Sequence, residues 1–107
     1  MKRIWVYWRD IPSQVIVQRG RTREKRMLGA RFQEAIDRAA MRAGKGGSDE
    51  YIAEWRRESV QLDATESLQA IADREVEAME SRYSDEELQA LIRAKGQSEP
   101  AVGGQSA

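Results

Sequence analysis

Two kinds of spacing divide this chain. Near its start Ile4, Val6 and Trp8 alternate with Trp5 and Tyr7, a period of two built from β-branched and aromatic residues, which predicts a strand over residues 3–9 with bulky groups on both faces. Asp10-Ile-Pro-Ser13 supplies a turn, because Pro12 presets φ and the side chains of Asp10 and Ser13 can bond nearby amides. Gln14-Val-Ile-Val-Gln18 then returns as the antiparallel partner, ending at Arg19 and Gly20. From Arg23 onward the period lengthens to that of a helix, with Leu28, Phe32, Ile36, Ala39, Ala40 and Ala43 on one stripe and a stop at Gly44.

The second half continues the helical pattern with one break in type. Ser48 followed by Asp49 and Glu50 predicts an N-cap for a short helix burying Tyr51, Ile52 and Trp55. Ser59-Val-Gln-Leu62 alternates as a short third strand would, although four residues also fit a loop or a continued helix. Asp63 or Thr65 then caps a long helix carrying Leu68, Ile71, Ala72, Val76, Met79 and Tyr83. Ser84-Asp-Glu-Glu87 forms a capping box that restarts the chain as a helix bearing Leu88, Leu91 and Ile92, closed by Gly96. The pattern predicts an α+β fold: an N-terminal hairpin plus a possible short third strand in a small antiparallel sheet, packed by three or four helices. Residues 1–96 read as one compact domain. Residues 97–107, rich in Gly, Ser, Gln and Ala, have little to bury and read as a disordered tail.

Composition narrows the chemistry. At 107 residues the chain fits one domain able to bury roughly 65% of its unfolded surface. Without Cys or His there are no disulfides, thiolates, imidazole bases or haem ligands, and metal binding is confined to oxygen ligands. The longest apolar run, Ile4 to Trp8, is far short of the ~20 residues of a membrane span, and a cytoplasmic location is the expectation. The net charge of zero hides a division, since residues 1–60 hold 14 Lys and Arg against 8 Asp and Glu, whereas residues 61–107 hold 4 against 10. Such asymmetry suits an acidic partner, a nucleic acid, or the other half of the same chain.

Blocks of this sequence resemble a known family. Ile4-Trp-Val-Tyr-Trp-Arg-Asp-Ile-Pro-Ser-Gln-Val-Ile-Val-Gln18, Arg31-Phe-Gln-Glu-Ala-Ile-Asp-Arg-Ala-Ala-Met-Arg-Ala-Gly44 and Ser48-Asp-Glu-Tyr-Ile-Ala-Glu-Trp-Arg-Arg57 are similar to the small bacterial virulence factor domain. Its members stand alone at about this size, and a similar segment occurs in conserved virulence factor C proteins. The resemblance covers roughly residues 3–95. It implies a link to virulence or an accessory role beside folate- and corrinoid-dependent one-carbon enzymes, and carries no reaction, cofactor or catalytic residue to transfer.

The residues themselves offer one strong candidate contact surface. Arg19, Arg21, Arg23, Lys25, Arg26 and Arg31 are interrupted by a single acid, Glu24; guanidinium groups in such a run grip carboxylates and phosphates, or pair with the acidic C-terminal helices. Trp5 and Tyr7, if outward, would add apolar contact; together with Trp8 they could also stack on bases, though core packing explains one strand face outright. Gly44-Lys-Gly-Gly-Ser48 lacks the glycine and hydroxyl spacing of a phosphate loop. Glu75, Glu77 and Glu80 spread around a helix instead of converging, and Asp10 reads as a turn cap. The expectation is a non-catalytic protein, without cofactor or metal, that docks an acidic protein through Arg19, Arg21, Arg23, Lys25, Arg26, Trp5 and Tyr7. Nucleic-acid binding through the same residues is the alternative, and an enzyme using carboxylates or an oxygen-ligated metal comes third. Oligomeric state is left open.

Overall fold

The computed structural model describes residues 1–98. Four strands and four helices follow in the order β1 (Lys2–Trp8), β2 (Ile11–Arg19), β3 (Thr22–Met27), α1 (Ala30–Arg42), α2 (Ser48–Ala53), β4 (Trp55–Gln61), α3 (Leu68–Arg82) and α4 (Asp85–Arg93). The strands form one antiparallel sheet in the order β3-β2-β1-β4, so the α+β class and the N-terminal hairpin stand.

The hairpin is tighter than the Asp10–Ser13 turn expected from the sequence. Trp8 pairs with Ile11 across the two residues Arg9 and Asp10, and Pro12 and Ser13 belong to β2. Positive φ at Arg9 (53°) makes this reversal and is held by several contacts: its N–H donates to the Glu54 carbonyl (3.1 Å), its guanidinium donates to the Lys95 carbonyl (2.9 Å), and Glu54 pairs with it at 3.2 Å. Between Val6 and Tyr7 the register slips, leaving Ser13 as the extra residue of a bulge whose carbonyl accepts from the Leu28 N–H.

Three further expectations are corrected. Residues 22–27 form a strand and the helix starts only at Ala30. Arg19 pairs with Thr22 across Gly20 and Arg21, and Gly20 alone takes positive φ, as a two-residue hairpin turn requires. The strand was invisible as a pattern because Thr-Arg-Glu-Lys-Arg is polar on both faces; backbone pairing to β2, not apolar alternation, holds it. The strand expected at Ser59–Leu62 is present but begins four residues earlier, as Trp55–Gln61, with Trp55 opening β4 instead of lining α2, and Ile52 is 63% exposed. Finally, Ser67, not Asp63 or Thr65, caps α3 by accepting from the Ala70 N–H, and Gly47, not Ser48, sits at the N-cap of α2.

One face of the sheet carries the helices. Phe32, Ala35, Ile36, Ala39 and Ala40 of α1 recur at helical spacing and meet Leu68, Ile71, Ala72 and Met79 of α3, Leu88 and Ile92 of α4, and Trp5, Val15 and Val17 of the sheet. Trp8, fully buried at the sheet end, donates its indole N–H to the Tyr51 carbonyl (2.9 Å) and stacks on that ring. The Ser84–Glu87 capping box is present as expected. The proposed tail falls largely on residues 99–107, outside the described residues; Ser98 just before them donates its N–H to Asp10 Oδ2. Among the described residues no helix is long and apolar enough to cross a membrane.

Candidate interaction surface

Strand register decides what each sheet residue faces. On the helix side lie Arg3, Trp5 and Tyr7 of β1, with Val15, Val17 and Arg19 of β2, Glu24 and Arg26 of β3, and Arg56, Glu58 and Val60 of β4. Trp5 is only 4% exposed and its indole N–H points to Glu75 Oε1 at 3.4 Å. Glu75 occupies the position one heptad after Leu68, where α3 would otherwise present an apolar group, and it also takes Arg3 at 3.2 Å. The expected apolar contact from Trp5 is therefore corrected: this ring is core. Tyr7 is half-buried beneath the Arg56 guanidinium, 4.4 Å from its ring centre. Burial, with a smaller contribution from Glu58, pushes its phenol above the ordinary value.

The basic run splits in two. Arg19 donates to the carbonyls of Ala64 (2.8 Å) and Glu66 (3.0 Å), Arg26 pairs with Asp73 (3.0 Å) and Glu24, and Arg31 clasps Glu80 (3.2 Å) and Asp85 (3.0 Å). These three guanidiniums fasten the sheet and α1 to the acidic C-terminal half. Arg21, at the β2–β3 turn, and Arg23 and Lys25, on β3, are exposed and have no ion pair among the described residues.

The other side of the sheet forms a regular grid. Its first row reads Gln61, Lys2, Gln18, Arg23; its second Ser59, Ile4, Ile16, Lys25; its third Arg57, Val6, Gln14, Met27, with Trp55 at the far end of β4. No carboxylate stands among these positions, whereas Lys2, Arg23, Lys25 and Arg57 do, all exposed and without an ion pair among the described residues. Every buried residue of α1, α3 and α4 belongs to the core on the opposite side, and the aliphatic centre here, Ile4, Val6 and Ile16, has Trp55 as its hydrophobic neighbour among the described residues. These three side chains are nonetheless just 5–7% exposed. Among the described residues no helix contributes a buried side chain to this cluster, and its neighbours on the face are the long polar side chains of the grid, whose stems can lie over aliphatic groups while the charged heads reach water. Met27, by contrast, is 54% exposed at the margin.

Sequence reasoning missed Lys2, Ile4, Val6, Ile16, Met27, Trp55 and Arg57 as one surface. The alternation of β1 announced two faces but could not say which one the helices would take, and Arg57 lay outside the strand as read. Arg23 and Lys25 join this surface; Arg19 and Arg26 do not. Among the described residues no group of three acidic side chains converges as a metal site. A cleft of about 140 Å³ between β4 and α3 is lined by Arg3, Trp5, Tyr7, Glu58, Glu75 and Arg82, charges that balance one another.

Residues 6–92 match the profile of the family described as Virulence factor. No curated protein and no solved structure matches the chain.

Proposed function

The chain belongs to the virulence factor family, whose name assigns no reaction, and from the geometry we propose that it is a non-catalytic docking module that binds an acidic protein through the uncovered face of its sheet. One observation carries the reading: among the described residues, four cations without an ion pair and no carboxylate share a face that the helices leave open, in a chain whose net charge is zero. Charges placed this way steer an anionic partner and fix its orientation, and Met27 with the edge of Trp55 adds apolar contact at the rim. A protein fits this surface better than single-stranded nucleic acid. The central positions are Ile4, Val6 and Ile16, which offer no ring for bases to stack on, and Trp55 stands alone at the end of an edge strand.

The test is an amide-shift titration of the labelled protein with a glutamate–leucine copolymer and, separately, an oligothymidylate of matched charge. The copolymer is expected to move the amides of residues 4, 16, 25 and 57, an effect weakened by salt. It is also expected to vanish in the Arg23→Glu, Lys25→Glu, Arg57→Glu triple variant at unchanged melting temperature. Tighter binding of the oligonucleotide at the same amides would overturn the protein reading in favour of nucleic acid.

A further inference from the structure

Resting on that docking reading, we infer that the occupant of the open face is an amphipathic α-helix with one apolar stripe flanked on both sides by Asp and Glu. The dimensions of the grid argue for a single helix. Its aliphatic centre occupies only β1 and β2, and the cations bordering it stand on β3 (Arg23, Lys25) and β4 (Arg57), three strand spacings or about 14 Å apart. A helix with its side chains is about 10–12 Å across, so one helix laid along β1 and β2, its apolar stripe parting the long polar side chains around Ile4, Val6 and Ile16 and reaching Met27 and Trp55 at the rim, brings both flanks within reach of those cations. A second sheet would need an apolar floor wider than two strands. Seven residues of β1 run about 23 Å, the length of about 15 helical residues.

Backbone chemistry points the same way. An extended peptide laid flat on aliphatic side chains finds no partners for its N–H and C=O groups, which would be left unpaired in a drying interface. A helix brings its backbone already satisfied. It repeats on this face the arrangement that α1 and α3 make on the other, giving a sheet with helices on both sides. Charge argues against a second copy of this chain, face to face, since Lys2, Arg23, Lys25 and Arg57 of each copy would meet their equals.

The experiment uses the full chain and three labelled 16-residue peptides built from Glu, Leu, Ala and Gln, the first two of identical composition and the third differing only by two Pro. The first carries Leu at i, i+3, i+4 and i+7 with Glu on both flanks; the second is scrambled to break that period; the third has two central residues replaced by Pro to prevent helix formation. The expected result by fluorescence anisotropy is at least tenfold tighter binding of the first peptide. Helical circular dichroism should be gained on mixing, and a further tenfold loss should appear in the Lys25→Glu, Arg57→Glu variant, whose exposed positions leave folding intact. Equal binding of all three peptides at the same face would overturn the helix while leaving acidic docking in place. Binding of none would overturn both. Concentration-dependent dimerisation of the protein alone, abolished by the same variant, would assign the face to a second copy and overturn the inference.

Discussion

Gly96 closes the fold at the point where the C-terminal segment meets the hairpin, and replacing it by Ala separates two costs that are usually confounded. Its φ is +85°, and a Cβ built there would lie 2.9 Å from Trp8 Cζ3 and 3.3 Å from Trp8 Cε3. Left-handed backbone costs a residue with a Cβ about 1–2 kcal/mol. Trp8 cannot yield cheaply, because it is fully buried, stacked on Tyr51 and bonded through its indole to the Tyr51 carbonyl. Crowding of this kind adds about 1–3 kcal/mol. Gly44 is the internal control: its φ is +72°, and a methyl added there would find nothing within 4 Å, so Gly44→Ala should cost the backbone share alone. Urea unfolding followed by tryptophan fluorescence should therefore show Gly96→Ala destabilised by about 2–5 kcal/mol and Gly44→Ala by about 1–2 kcal/mol. On melting, the first loss corresponds to about 10–25 °C. Equal destabilisation of the two variants would refute the claim that Trp8 and Gly96 meet in close contact.

Two further outcomes follow from local geometry. Ser67→Ala removes the side-chain acceptor from the Ala70 N–H at the start of α3 and should lower stability by about 1 kcal/mol in the same urea experiment, with no change in the slope of the transition. Tyr7 and Tyr83 are both held above the ordinary tyrosine range, chiefly by burial. The folded protein then keeps protons that the unfolded chain has released, so stability is unaffected below pH ~10 and falls as pH rises through the raised values. Denaturant midpoints measured from pH 9 to 11.5 should decline in the native protein and flatten in a Tyr7→Phe, Tyr83→Phe variant; an undiminished decline would remove the tyrosines as its cause.

Much of the architecture was legible wherever one face of an element is buried. The stripe on α1, the capping box at Ser84 and the β1–β2 alternation are each local statements about burial or backbone amides, and local patterns carry them. The misread segments share a different property. Thr22–Met27 and most of Trp55–Gln61 are edge strands with polar residues on both sides, so no hydrophobic period marks them. Their strand character comes from ladders to β2 and β1, partners that a local window does not contain.

The candidate surface divides along the same line. Sequence alone determined that the protein is one small α+β chain with a basic N-terminal half, an acidic C-terminal half and no thiol or imidazole chemistry, because these follow from composition and short-range spacing. Tertiary structure decided which side of the hairpin the helices cover, turning Trp5 into core and Ile4, Val6 and Ile16 outward. It also decided which arginines are spent: Arg19, Arg26 and Arg31 bind groups 45 to 54 residues away, while Arg23, Lys25 and Arg57 gather on the open face. Charge is a property of residues, but whether a charge is paired depends on distances in space, and only folding sets those.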